Sequence, residues 1–148
     1  MLTEQTDFSV EELAHSASIN YQAFMLGSIA YLKEKNLPVE EWSNFLAEIF
    51  ASYWPAFAST FGAFELAKTT GLILVAGGGR LTLLEGNQHS SRVVVEDFPE
   101  TENMTRFEVS VEDLDLMLGV IFSKIASRLN RKLRYHREGN CFEFSYTN

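Results

Sequence analysis

Apolar residues recur at helical spacing through the first part of the chain. Leu13, Ala17, Tyr21, Phe24 and Tyr31 fall on one face, with Ser28 filling one step, and this period predicts an amphipathic helix. Ser9 and Glu12 precede it as a capping box, in which side chains satisfy the orphan amides of a helix start. The helix is expected to stop near residues 35–38, where Asn36 can cap and Pro38 cannot continue the turn. A second helix opens with Pro38 at its first position and Glu40 and Glu41 in the first turn, where acids oppose the positive dipole end. Trp42, Leu46, Ile49 and Tyr53 follow at helical steps. Pro55 either kinks this helix or starts a third, and Phe57, Phe61 and Phe64 keep the period.

The pattern changes at Thr69-Thr70-Gly71. Residues 72–76, 80–84 and 92–98 are apolar runs of strand length with turn-forming residues between and after them. Residues 106–109 suggest a brief further strand. Ser110 and Asp113 then open a helix lined by Leu114, Leu118, Ile121, Ile125 and Leu129. "KLRYHR" and "CFEFSY" alternate on either side of "EGN", which predicts a hairpin turning at Gly139. Runs of like elements joined by short turns predict an α+β class: N-terminal helices packed on an antiparallel sheet, with one long helix before a C-terminal β-hairpin. The length fits one domain over residues 1–148, with residues 1–8 as a loose leader.

Composition narrows the function classes. A net charge of −8 opposes non-specific nucleic-acid binding. Cys141 is the single cysteine, so neither an internal disulfide nor a multi-thiolate zinc site can form. The first residues carry no signal-peptide pattern, and no run of about 18 apolar residues predicts a membrane span. A cytoplasmic location is expected.

Gly77, Gly78 and Gly79 raise the question of a phosphate loop. Such loops need a helix to begin directly after the glycines, and the P-loop form also needs Lys-Ser/Thr. Here Arg80 and a strand-like run follow. The expectation is a tight hairpin turn that exploits positive φ.

Bulky rings crowd residues 42–64. They predict either a helical core layer or an apolar pocket between that layer and the sheet. Trp42, Tyr53, Trp54, Phe57 and Phe61 are the candidate ligand-binding residues. Arg134 and His136 share one face of a strand and are candidates to meet an anionic end of the ligand. Glu12 and His15 form the one Glu-x-x-His pair, too little for a carboxylate-bridged metal site. No metal and no cofactor are expected. Cys141 either fills a strand position as a small hydrophobe or acts as a nucleophile with His136 across the hairpin.

The C-terminal third resembles the end of vinyl-reductase-like domains. Gly119 in the helix, Gly139-Asn140 in the turn, and Cys141, Glu143 and Phe144 in the strand carry the likeness. Those domains have Cys-x-Phe, whereas Phe144 here lies three positions after Cys141. The resemblance implies a small-molecule-binding module with a fold shared by subunits of vesicle-tethering complexes. The same ending is similar to that of small bacterial proteins grouped with aminothiazoline-carboxylate hydrolases, and this chain lacks the extra cysteines of those families. The expected function is non-catalytic binding or sensing of a small apolar or amphipathic ligand by a homodimer. The alternatives are a homo-oligomeric protein-interaction subunit and a Cys141-dependent hydrolase.

Overall fold

The structure is a computed structural model that describes residues 7–54 and 62–148. In chain order it contains α1 (Val10–Glu34), α2 (Val39–Tyr53), α3 (Ala63–Ala76), β1 (Arg80–Gly86), β2 (Ser90–Glu96), α4 (Thr101–Phe107), α5 (Val111–Arg128), β3 (Lys132–Glu138) and β4 (Cys141–Thr147). All strand pairs are antiparallel, in the order β1-β2-β4-β3. The α+β class and its C-terminal hairpin are therefore as expected. Pro55, Phe57 and Phe61, on which the continuation of the second helix rested, lie outside the described residues.

The sheet buries one face and leaves the other open. Val93 and Val95 of β2 and Phe142, Phe144 and Tyr146 of β4 alternate inward. Helix α3 covers β1, β2 and β4, and α5 covers β3. Helix α2 packs on α5 rather than on the sheet, and α1 crosses α2, α3 and α4. Phe122 of α5 meets Phe144 edge-on at 5.1 Å between ring centres, and Tyr135 stands 5.0 Å from the same ring. Such pairs add to simple area burial.

The helix starts follow the sequence. Ser9 and Glu12 form the capping box of α1, and the Ser110 hydroxyl accepts from the Asp113 amide at α5. Asn36 adopts positive φ just past α1. Pro38 occupies the N-cap of α2 rather than the first helical position.

Four expectations need correction. Residues 72–76 are not a strand but the second half of α3. Five consecutive apolar residues carry no period of their own, and contacts elsewhere settle them. Leu66, Ala67, Thr70, Gly71 and Leu74 form a buried helical stripe. Thr70 accordingly punctuates nothing: its hydroxyl bonds the Leu66 carbonyl at 2.9 Å and the Tyr146 hydroxyl at 2.7 Å. Gly71 lets α3 approach the sheet, since a Cβ there would stand 3.0 Å from Val93 Cγ2.

Gly77 to Gly79 likewise do not turn a hairpin. They end α3 and lead into β1. Gly78 has φ +102°, a conformation that a side chain resists. No helix begins after them, so the geometry of a phosphate loop is absent there.

Residues 106–109 are not a strand either. Arg106 and Phe107 end α4, and Glu108 takes the left-handed conformation that closes it. Finally, the apolar face expected to bury α1 points outward. Leu13, Tyr21, Phe24 and Tyr31 are exposed, whereas Gln22, Leu26 and Ile29 are buried. Gln22 is tolerated inside because every polar atom is paired. Its Nε2 donates to the Gly77 carbonyl at 2.8 Å, and its Oε1 accepts from the Glu100 amide and from Asn103 Nδ2.

Candidate ligand-binding cavity

Helix α2 divides its surface into rows four residues apart. Val39, Ser43, Ala47 and Ala51 are buried and mostly small. Small side chains let helix axes approach closely, and this row accompanies the extensive packing of α2 on α5. Trp42, Leu46, Phe50 and Trp54 form the next row, every one of them bulky. They do not fill the space beside the close contact; they wall it.

The result is a cavity of about 500 Å³ among four helices. Trp42, Leu46, Phe50 and Trp54 supply one wall, and Tyr21, Phe24, Met25 and Ser28 of α1 supply another. Ile73 of α3 closes one end. Met117, Leu118, Ile121, Phe122 and Ile125 of α5 form the floor. No strand residue takes part, so the cavity lies among the helices rather than between helices and sheet. The volume falls in the range of roughly 300–1,000 Å³ that holds drug-sized ligands.

Among the described residues no wall residue is an acid, a base, a histidine or a cysteine. Among the described wall residues the polar groups are the indole N–H groups of Trp42 and Trp54 and the hydroxyls of Tyr21 and Ser28. The Ser28 hydroxyl is committed to the Phe24 carbonyl at 2.6 Å. Tyr21 keeps part of its surface exposed, but the apolar neighbours on the cavity side desolvate its phenol and push the pKa above the ordinary value, so it stays neutral at physiological pH. Met25 and Met117 add flexible, polarisable contacts that adapt to a ligand's shape.

The walls are held in register from outside. Glu48 of α2 pairs with Lys124 and Arg128 of α5. Lys33 of α1 pairs with Asp113 of α5 at 2.6 Å. Burial opposes ionisation of Asp113, but hydrogen bonds from Lys33 and Ser110 outweigh it and hold the carboxyl below its usual range. Asp115 anchors α5 to the sheet by accepting from the Tyr135 hydroxyl at 2.6 Å and from Arg137 Nε at 2.8 Å.

Trp42 and Trp54 thus line the cavity together. Tyr53 does not; its side chain is 66% exposed on the outer row with Phe45 and Ile49. Phe57 and Phe61 lie outside the described residues. Arg134 and His136 stand on the open face of the sheet, remote from the cavity walls. Tyr21, Phe24, Met25, Ile73 and Met117 were absent from the sequence-derived set. The one local signal for such a site was the contrast in α2 between a row of small residues and a row of bulky ones.

Cys141 lies on the open face beside three carboxylates. Burial, then the charges of Glu96, Glu143 and Glu138, raise its thiol pKa. That setting opposes the thiolate a nucleophile requires. His136 pairs in register with Glu143, one step along the hairpin from Cys141. Alkylation of Cys141 in the folded protein is expected to reach half its maximal rate at a pH above the ordinary thiol value of about 8.5. A midpoint below that value in a rate–pH profile would restore the thiol-enzyme reading. Among the described residues no group of metal-ligating side chains is clustered, and no helix is long and apolar enough to cross a membrane.

No family model matches the sequence, and no curated protein matches it. Among solved structures, the chain is similar to an H-NOX protein from K. algicida in its Fe(II) unliganded form, with 8% identity and a TM-score of 0.45. That likeness covers 78% of this chain and 66% of the other. A single-substitution mutant of the same H-NOX protein gives 12% identity and a TM-score of 0.43 over the same shares of the two chains.

Proposed function

We propose that this protein is a non-catalytic binding module for a small, uncharged, hydrocarbon-rich molecule held among α1, α2, α3 and α5. The observation that carries this reading is the cavity of about 500 Å³ whose described walls hold six aromatic side chains and no charged one. Transfer of apolar surface into it gains roughly 25 cal/mol per Å². A carboxylate entering the same space would lose its hydration and find no cation, a cost that apolar contacts do not offset. Aromatic walls favour a ligand with a flat π-face, and the indole N–H of Trp42 suits a single hydrogen-bond acceptor. The anionic end foreseen for Arg134 and His136 has no place in this reading. Kinship with the vinyl-reductase-like binding domains is part of the same proposal, supported by the C-terminal likeness.

The test compares two probes of similar size, 2-naphthalenemethanol and 2-naphthoate, by thermal shift. At a hundredfold excess over Kd the neutral probe should stabilise the protein by about 2.7 kcal/mol, read as a rise of roughly 5–10 °C in Tm. The anion should give no shift at neutral pH. Met117→Trp, which projects an indole into the void, should abolish the rise while the variant keeps a cooperative melt. Equal shifts with both probes, or a shift that survives Met117→Trp, would overturn the assignment.

A further inference from the structure

The outward face of α1 carries more apolar surface than a solvated helix needs. Val10, Ala17, Phe24 and Tyr31 stand seven residues apart along it. Val10 is 82% exposed, Phe24 79% and Tyr31 57%, and Ala17 is exposed as well. A seven-residue apolar repeat is the spacing of a helix seam that faces another helix. Beside Phe24 the small residues Ala23 and Gly27 leave an open groove, bordered by Tyr31, that can receive a ring.

The shape of the face specifies the occupant. It carries both a projecting ring, Phe24, and an open groove beside that ring, so it complements an inverted copy of itself. Glu11 and Glu12 lie in the first turn, and at the other end Lys35 pairs with Glu34 at 3.1 Å and Lys33 with Asp113 at 2.6 Å. We propose that the protein forms a two-fold symmetric dimer in which α1 pairs antiparallel with α1 of a second copy, centred between residues 23 and 24.

That centre sets the whole register. Each Phe24 lies beside the partner's Ala23 and reaches its groove. Glu12 lies level with the C-terminal end of the partner's α1, where Lys35 caps the helix. Ala17 faces the partner's Ala30, where two small residues permit close approach. The pairing is isologous, so every contact occurs twice and the assembly closes at two copies. Antiparallel alignment also sets each helix dipole against the other's opposite end. Phe24 borders both this seam and the ligand cavity, whereas Ala17 lies on the seam alone and so tests the dimer separately from the ligand reading.

Sedimentation equilibrium over a hundredfold concentration range tests it, together with spin-label distances in a Cys141→Ser background. The wild-type chain should sediment as a dimer. Ala17→Glu should weaken association at least tenfold, leaving the thermal melt of the dissociated chain cooperative and the response to 2-naphthalenemethanol in place. Labels at Ala23 should lie about 10 Å apart, near the interaxial spacing of packed helices. Labels at Leu13 should lie about 30 Å apart, since some 21 residues at about 1.5 Å each separate it from its image. A monomer at every concentration, a dimer indifferent to Ala17→Glu, or a short distance at Leu13 would each overturn the proposal.

Discussion

Gln22→Leu is expected to lower the unfolding free energy by about 3 kcal/mol, seen as a fall of roughly 6–12 °C in Tm. Leucine is shorter and branches one carbon nearer the backbone, so packing changes as well, but the larger loss is of polar pairing. The side chain bonds three partners at once: the Gly77 carbonyl, the Glu100 amide and the Asn103 amide group. Gly77 is buried, and its carbonyl has no ready access to water after the change. Each buried polar group left unpaired costs about 1–3 kcal/mol. Gln22→Glu separates the two ends of the side chain. It keeps the acceptor for Glu100 and Asn103 but removes the donor to Gly77, and it buries a charge. Its melt should fall at neutral pH and recover as the carboxyl is protonated in acid. A Gln22→Leu variant within about 1 kcal/mol of wild type in urea unfolding would show that the three contacts are incidental.

Phe144→Ala should cost about 3–5 kcal/mol, the range for removing a fully buried ring. Phe144 is inaccessible to solvent and stands at the meeting of the sheet with α5. Its ring centre stands 5.1 Å from that of Phe122 and 5.0 Å from that of Tyr135. Phe122 also forms part of the cavity floor. The variant should therefore lose ligand response as well as stability, because Phe122 can relax into the new void. Phe144→Leu retains most of the volume and should restore most of both. A large loss of stability with an unchanged probe response would mean that the floor is held by α5 alone.

Much of this architecture is written in local sequence, and the parts that are not share one cause. The starts of α1 and α5 follow from Ser9, Glu12, Ser110 and Asp113, whose side chains act within one turn of themselves. The final hairpin follows from alternation and from Gly139, which takes φ +58° as a turn there requires. Residues 72–76 read locally as a strand because Leu, Ile and Val in unbroken sequence suit a buried strand and a buried helix equally. Their state is fixed by Gly71 against Val93 and by Thr70 against Tyr146, partners distant in sequence. The inward face of α1 was inverted for a similar reason. Hydropathy favours burying Phe24 over Gln22, but the carbonyl and amide waiting at Gly77 and Glu100 come from other parts of the chain.

The cavity shows the same division. Trp42 and Trp54 could be found because the ring density of residues 42–54 is a local property. Tyr21, Ile73 and Met117 reach the same space only through the crossing of three helices. Arg134 and His136 were plausible partners for a ligand while the strand had two equivalent faces. Once α5 covers the side carrying Leu133 and Tyr135, the cations are left on the other.

The division of α2 into a small-residue row and a bulky one has a consequence for how this helix can change. Each residue removed from an α-helix rotates all that follow by about 100°. A single deletion early in α2 would swing a later stretch of the indole-bearing stripe out of the cavity and bring other side chains against α5. Point substitutions that respect size, by contrast, leave each stripe where it was. Alteration of ligand preference in proteins of this build should thus proceed by exchange of residues at constant length, with insertions and deletions confined to the connections between helices.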